Sequence, residues 1–155
     1  MGFEKASAQI FYEDVQIGDT LPTLAMTADE RQLFFFSAAT YNAHRIHYDK
    51  DWARNVEGYE NVIVQGPLQA ALLSRAITDW MGGGGRLVEY AVQNRAVAFA
   101  GEELTFGGVV TGKRLADNTG LVDLDIAGRR GDTVLMPGTA TVALPRRGEF
   151  QEEES

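Results

Sequence analysis

The stretch VIVQGPLQAALLSRAITDWM, residues 62–81, decides the fold. Pro67 is compatible with the first turn of a helix, where its missing N–H is not needed. From Pro67 to about Met81 the apolar residues cover more than one helical face, which is typical of a helix that is buried on most sides. At ~1.5 Å per residue this helix spans roughly 22 Å. We therefore predict a central helix around which a sheet wraps.

The sequence that follows predicts a meander of antiparallel strands. Gly82–Gly85 ends the helix. Four later stretches alternate apolar and polar residues, namely 86–100, 103–114, 120–129 and 133–144. Turn residues separate them at Gly101, Asp117–Asn118 and Gly131–Asp132. This order of elements indicates one α+β domain in which a long antiparallel sheet surrounds a central apolar helix.

Ahead of the central helix, the sequence predicts a short strand, a helix and a loop. Leu21–Met26 is the strand, and Thr27 with Glu30 forms a capping box for a helix that runs to about Tyr41. The inward positions of that helix are expected to be Leu33, Phe34, Phe36, Ala38 and Tyr41. Residues 42–51, NAHRIHYDKD, have no clean period and predict a loop with one helical turn.

Composition narrows the class of protein. A chain of 155 residues with 45% apolar and 23% charged residues is typical of one globular domain. The formal net charge of −8 argues against nucleic-acid binding. The absence of cysteine excludes disulfides, thiolate metal sites and cysteine nucleophiles. No apolar run approaches the ~20 residues of a membrane span, and the first residues do not resemble a secretion signal, so we expect a cytoplasmic protein.

The acidic C-terminus is expected to lie outside the domain. Residues 149–155 contain four glutamates, which predicts a solvated and disordered tail after a domain of residues 1–148.

Two motif-like segments do not support other chemistries. Residues 107–113, GGVVTGK, have the spacing of a phosphate loop, but Arg114 stands where such a loop has Ser or Thr, and the interior is strand-like. His44, His47 and Asp49 are close in sequence, but no further histidine exists to complete a metal site with them. The G-x-S-x-G pattern of many serine hydrolases does not occur. We therefore expect neither a nucleotide site nor a metal.

Both histidines of the chain fall in the loop that begins at Asn42. A single histidine is often only a hydrogen-bonded packing residue, whereas a functional imidazole transfers protons near neutral pH. The pattern alone leaves both interpretations open. Five residues of continuous helix turn by about 500°, so Asn42 and His47 converge only if the helix is broken between them.

Three segments resemble the MaoC-like dehydratases, or (R)-specific enoyl-thioester hydratases, of the hot-dog fold. The segments are FFFSAATYNAHRIHYDKDWA at 34–53, EGYENVIVQGPLQAALL at 57–73 and NRAVAFAGEEL at 94–104. The loop pattern of that family is S/T-G-D-x-N-P-x-H-x-D. In this chain Thr40 stands at the Ser/Thr position, Tyr41 at the glycine and Asn42 at the catalytic aspartate. His44 stands at the asparagine and Arg45 at the proline. His47 stands at the catalytic histidine, and Asp49 keeps the final acid. The form NAHRIHYD is most similar to a branch that includes 3-methylfumaryl-CoA hydratases and some fungal mitochondrial 3-hydroxyacyl-thioester dehydratases.

The resemblance implies a lyase that adds or removes water at an enoyl or 3-hydroxyacyl thioester of CoA or an acyl carrier. His47 would be the acid–base group, Asn42 would place the water, and the Gly66 N–H at the start of the central helix would hold the enolate oxygen. Substrate contacts are expected from His44, Arg45, Tyr48, Asp49, Gln65 and Arg95. Candidate partners for the phosphates of the thioester handle are Arg45, Arg86, Arg95 and Lys113.

The residue at the aspartate position leaves the mechanism open. Asn42 cannot take up a proton at ordinary pH. Either His47 is the sole acid–base group, or Asp49 assists it, or catalysis has been lost. The first is favoured because the branch that this chain resembles carries the same change.

The resemblance also implies a homodimer, or a heterodimer with a related hot-dog chain, with sites at the interface. The thioester is the only cofactor-like group expected, with no metal, nucleic acid or membrane partner. Two alternatives remain. One is a non-catalytic acyl-binding subunit of a heteromeric dehydratase. The other is a hot-dog thioesterase, although residues 65–69 (QGPLQ) lack the carboxylate that such an enzyme needs near the helix.

Overall fold

Five antiparallel strands form one sheet in the order β1–β3–β4–β5–β2 in the computed structural model, which describes residues 9–148. The strands are β1 (Leu24–Thr27), β2 (Arg86–Val92), β3 (Glu103–Ala116), β4 (Thr119–Arg130) and β5 (Thr133–Leu144). The α-helices are α1 (Glu30–Ala39), α2 (Lys50–Asn55) and α3 (Gly66–Met81). Short 3-10 turns cover Tyr12–Asp14 and Arg45–His47.

The sheet wraps around α3, as the helix pattern predicted. This helix contacts all five strands. Its buried residues are Gln69, Leu72, Leu73, Ala76, Ile77, Trp80 and Met81. On the strands, alternate side chains point to opposite faces, so residues such as Leu104, Phe106, Leu124 and Ile126 line the core side. The result is the α+β hot-dog arrangement that the resemblance implied.

The residues that lead into α3 are hydrogen-bonded to the extended segment that follows β2. Val64 N–H donates to Ala98 O at 2.8 Å, and Ala100 N–H donates to Val62 O at 3.0 Å. The regular strand predicted over 86–100 therefore ends at Val92. Residues 93–96 still donate irregular hydrogen bonds to Pro137 O and Leu135 O of β5, and residues 98–100 then pair with residues 62–64. This path places Asn94 beside the N-terminus of α3.

The prediction for α1 was wrong at its start. Asp29, not Thr27, is the N-cap: its Oδ1 accepts from Gln32 N–H at 2.7 Å, while Gln32 Oε1 accepts from Asp29 N–H at 3.0 Å. The inward face of the helix is also narrower than predicted, because apolar side chains lie on the solvent side of α1 as well. Only Leu33 and Ser37 of α1 are buried, whereas the predicted inward residues Phe34, Ala38 and Tyr41 are exposed.

The predicted hairpin turns are present. Asp117 and Asn118 have φ values of 47° and 69°, which is the left-handed backbone of a two-residue turn that twists with its strands. The predicted tail at 149–155 lies outside the described residues. Within residues 9–148, no helix has both the length and the apolar character needed to cross a bilayer.

Candidate active site

The loop that carries Asn42 begins where α1 ends. Thr40 caps that end, since its N–H and its Oγ1 both donate to Phe36 O, at 3.0 and 2.7 Å. Tyr41 then takes a φ of 54°, and Asn42 N–H donates to Ser37 O at 2.8 Å. The helix is therefore broken before the loop, which is the condition that Asn42 and His47 need in order to converge. Tyr41 holds a left-handed backbone at the position where the family pattern has glycine.

His47 lies in a 3-10 turn that is hydrogen-bonded to the segment leading into α3. Its side chain is buried, with 8% of the residue exposed. Nδ1 lies 2.8 Å from Ile63 O, and Ile63 N–H donates to Ile46 O at 2.9 Å. Because a carbonyl oxygen can only accept, Nδ1 carries the proton of the neutral ring and Nε2 has the free lone pair.

The surroundings of His47 favour its neutral form. Burial lowers the pKa of the His47 imidazole below 6.5, since the charged ring loses hydration. The hydrogen bond to Ile63 O opposes this shift, and the neighbouring His44 adds to it. The two imidazole rings meet edge to face, with 6.0 Å between centroids. At neutral pH, Nε2 can therefore accept a proton.

Asn42 is half-buried, and its side chain is hydrogen-bonded within the loop. Its Oδ1 accepts from His44 N–H at 3.2 Å. The carboxamide borders a cavity of about 280 Å³. The cavity is lined by Phe34, Ser37, Ala38, Tyr41, Asn42, Ala43 and Tyr48. Asn42 is thus placed to orient a small polar molecule but not to transfer its proton.

Asp49 and Arg45 hold the loop together. Asp49 is the N-cap of α2, where its Oδ1 accepts from Trp52 N–H at 2.9 Å. Its Oδ2 accepts from Arg45 Nε at 3.0 Å and from Nη2 at 2.5 Å, while the guanidinium lies 4.0 Å from the Trp52 ring centroid. The Trp52 N–H, followed by Arg45, lowers the pKa of the Asp49 carboxyl. Both carboxylate oxygens therefore accept hydrogen bonds within the loop, which gives Asp49 a structural role in holding it.

Other predicted substrate contacts are also occupied or peripheral. The Tyr48 hydroxyl donates to Ala43 O at 2.8 Å, and exposed His44 lies 3.8 Å from Glu57 Oε1. Lys113 was a candidate for phosphate binding, but its Nζ donates to Tyr12 O at 2.8 Å and to Val15 O. This lysine therefore holds the N-terminal segment against β3.

The two remaining candidate arginines stay exposed on the surface of the fold. Arg86 begins β2, and Arg95 follows its end. Arg95 borders a groove of about 1090 Å³ along the sheet, whose lining does not include His47 or Gly66. Neither arginine lines the cavity beside Asn42.

Gln65 does not reach a cavity. It is fully buried, and its Nε2 donates to Leu33 O at 2.7 Å and to Ser37 Oγ at 2.9 Å. This side chain packs between α1 and α3 and donates its hydrogen bonds to α1, and the substrate contact expected of it stays a prediction.

Gly66 begins α3, and its environment explains why it is glycine. Pro67 has no N–H, so the first turn presents the N–H groups of Gly66 and Leu68, which have no acceptor inside the helix. A Cβ on residue 66 would lie 2.1 Å from Asn94 Nδ2. The absence of a side chain at Gly66 thus lets an exposed carboxamide lie against the helix terminus.

Asn94 is the residue that sequence reasoning missed. It belongs to the quoted segment NRAVAFAGEEL, but nothing in that pattern shows that the end of β2 meets the start of α3. Only the pairing of residues 98–100 with the 62–64 segment brings it there.

No grouping of three His, Cys, Asp or Glu side chains suited to a metal ion occurs in the part of the chain that the structure describes.

The fold and the loop together define a MaoC-like hot-dog protein. A solved structure that this chain is similar to is the (R)-hydratase from A. caviae involved in PHA biosynthesis. It aligns with a TM-score of 0.76 and 23% identity, over 86% of this chain and 99% of that chain.

Sequence comparison gives the family. Residues 8–99 match the family hydroxyacyl-thioester dehydratase type 2. The 3-oxo-4,17-pregnadiene-20-carboxyl-CoA hydratase beta subunit of Mycobacterium tuberculosis is 30% identical over 133 residues, which are 84% of this chain and 96% of that protein. The chain belongs to the hydroxyacyl-thioester dehydratase type 2 family of MaoC-like proteins.

A shorter alignment has a higher sequence identity. Mesaconyl-C(4)-CoA hydratase of Chloroflexus aurantiacus is 55% identical over 51 residues, which are 33% of this chain and 18% of that protein. The aligned part is thus less than a fifth of that relative.

The environment of His47 gives a test that needs no substrate. Because the chain has two histidines, NMR spectra of the wild type and of His44→Gln assign both rings. We expect His47 to titrate below 6.5. The folded state then takes up this proton less readily than the unfolded state, so folding stability decreases as pH falls from 6.5 through the folded pKa. A His47 pKa above 6.5 in both proteins would contradict the described burial.

Proposed function

We propose that this protein is an enoyl-thioester hydratase or 3-hydroxyacyl-thioester dehydratase that acts on CoA or acyl-carrier thioesters. Membership of the family and the names of the relatives support this activity. The observation that carries the proposal is the placement of His47. A neutral, buried imidazole is hydrogen-bonded to Ile63, in the segment that leads directly to the free N–H of Gly66.

In the hydration direction, His47 Nε2 takes a proton from water as the water oxygen bonds to the β-carbon. The π electrons of the double bond move onto the thioester oxygen, which becomes an enolate. The Gly66 N–H and the positive end of α3 stabilise that charge, with one such donor contributing on the order of 3 kcal/mol. The imidazolium then returns its proton to the α-carbon, the carbonyl re-forms, and His47 is neutral again.

His47 would perform both proton transfers alone. Asn42 orients the water but cannot exchange a proton, and Asp49 is engaged by Trp52 and Arg45. Exposed Arg86 and Arg95 remain the candidate contacts for phosphates of the thioester handle. We also propose that residues 1–148 form the domain and that the protein works in cytoplasmic fatty-acyl metabolism, since a cysteine-free chain is compatible with a reducing compartment.

A subunit role is the second candidate function. Asn42 replaces the family's aspartate, and the relative aligned over 96% of its length is named as the beta subunit of a hydratase. In this case a related hot-dog chain would complete the site, whereas the first candidate favours a homodimer.

The purified chain distinguishes these candidates when incubated with crotonyl-CoA and mesaconyl-type CoA esters. We expect loss of enoyl absorbance from the chain alone, with a dimeric mass by light scattering. If the chain alone does not hydrate these esters but does so after a second hot-dog chain is added, the subunit role is established. Release of free CoA without hydration would instead indicate a thioesterase.

Replacement of His47 by asparagine tests the proton-transfer role. Asparagine can keep a donor near Ile63 O while it removes Nε2, so folding should be retained. We expect kcat to fall by roughly 10²–10⁴-fold. Asn42→Ala should cost less, because it removes only an orienting group. Equal losses in both variants would show that Asn42 has more than an orienting role.

Gly66→Ala tests the helix terminus. The added methyl group displaces the exposed Asn94 amide and crowds the space in front of the Gly66 N–H. We expect kcat to fall by about 10²-fold with the melting temperature nearly unchanged. Gly83→Ala is the matched control, since its Cβ meets nothing within 4 Å. If Gly66→Ala keeps the wild-type kcat, the start of α3 has no role in the mechanism.

A further inference from the structure

Gln65 and Ser37 are buried polar residues that the proposed chemistry does not use. Their exposed fractions are 0% and 4%. The Gln65 carboxamide spans from α3 to α1, where Nε2 donates to Leu33 O and Ser37 Oγ. Its Oε1 is buried and has no hydrogen-bond partner among the described residues. A half-satisfied buried amide is unfavourable, so its presence requires a reason other than stability.

The hydrogen bonds of Gln65 reach α1, the helix that precedes the loop with Asn42. Ser37 lies in the last turn of α1, and its carbonyl oxygen accepts from the N–H of Asn42, which follows the helix, at 2.8 Å. A continuous path of hydrogen bonds and backbone therefore runs from Gln65 through Ser37 to Asn42. His47 is held by a different contact, with Ile63. The two halves of the site are thus each fixed against the same segment, residues 62–66.

Gln65 also occupies the N-cap position of α3 without capping the helix. An N-cap side chain usually accepts a hydrogen bond from a first-turn N–H. Here the side chain makes no such bond. Its carboxamide is committed to α1, so the N–H groups of Gly66 and Leu68 are not covered by it.

We propose that Gln65 is a positioning residue for the dehydratase site. Its carboxamide fixes the end of α1, and through it Asn42, against the start of α3, while it leaves the first-turn N–H groups of α3 free for the thioester oxygen. This inference rests on the proposed function, because Asn42 and Gly66 must face the same substrate. It replaces the substrate contact that the sequence predicted for Gln65.

Gln65→Met is the direct test, because methionine has a similar length and lacks the hydrogen bonds. Gln69→Met is the matched control. Gln69 is also buried, one turn further along α3, and its Nε2 donates to Val64 O rather than to α1. We expect Gln65→Met to lower kcat for crotonyl-CoA by roughly 10- to 100-fold with KM nearly constant. Its melting temperature should change no more than that of Gln69→Met, since both variants delete a buried amide that donates a hydrogen bond. Gln69→Met should keep wild-type kcat.

Ser37→Ala tests the path from the other side. We expect a smaller loss of kcat in the same direction. The double variant should be no worse than Gln65→Met alone, because the two side chains act on one contact.

Three outcomes would overturn the proposal. A loss of kcat that matches a fall in melting temperature, or that is equal in Gln69→Met, would make Gln65 an ordinary core residue. A raised KM with constant kcat would restore Gln65 as a substrate contact. Wild-type kcat and KM in Gln65→Met would show that no positioning is needed.

Hydrogen–deuterium exchange separates a failure of this inference from a failure of the proposed function. The Asn42 amide should exchange faster in Gln65→Met than in the wild type or Gln69→Met, because its acceptor on Ser37 is less firmly held. Unchanged exchange would overturn the inference. If the wild type were inactive, the hydratase proposal would fail, but the exchange result would still decide whether Gln65 positions Asn42.

Discussion

Two hydrogen bonds between the 45–47 turn and the segment before α3 fix the rest of the site. Ile63 is the partner in both: its carbonyl oxygen lies 2.8 Å from His47 Nδ1, and its N–H donates to Ile46 O. These bonds set the tautomer of His47 and hold its ring against the segment that leads into α3. A rigid apolar helix surrounded by the sheet keeps that terminus in place, so a loop without regular structure acquires a defined geometry.

The features that follow from local sequence were predictable. The α3 pattern and the four later strand regions rest on periodicity, and the strand predicted over 133–144 coincides with β5. The start of α1 was misplaced because two capping boxes compete. Thr27 with Glu30 and Asp29 with Gln32 both fit the pattern, and the two reciprocal hydrogen bonds form between Asp29 and Gln32. The early end of β2 depends on the pairing of residues 98–100 with 62–64, which leaves no periodic signal.

The sequence indicated positions for the site, and the roles of those residues stay predictions. The loop pattern pointed to His47 and to Asn42, which stands in place of the family's aspartate, and Gly66 was chosen for its place at the start of the central helix. The same pattern did not show that Asp49 caps α2 and pairs with Arg45, although its place before a helical turn was a usable signal. The contacts of Gln65 and Asn94 join segments about thirty residues apart along the chain, so only the folded structure reveals them.

The most direct measurement of the central claim is the pH dependence of kcat/KM for crotonyl-CoA hydration by the wild type and by Asn42→Asp. With His47 as the only acid–base group, the wild type should show one inflection on the acid side, below pH 6.5, and a plateau above it. Asn42→Asp should gain a second titrating group in its profile. A wild-type profile that already contains two acidic inflections, or that shows none, would contradict a mechanism with a single imidazole.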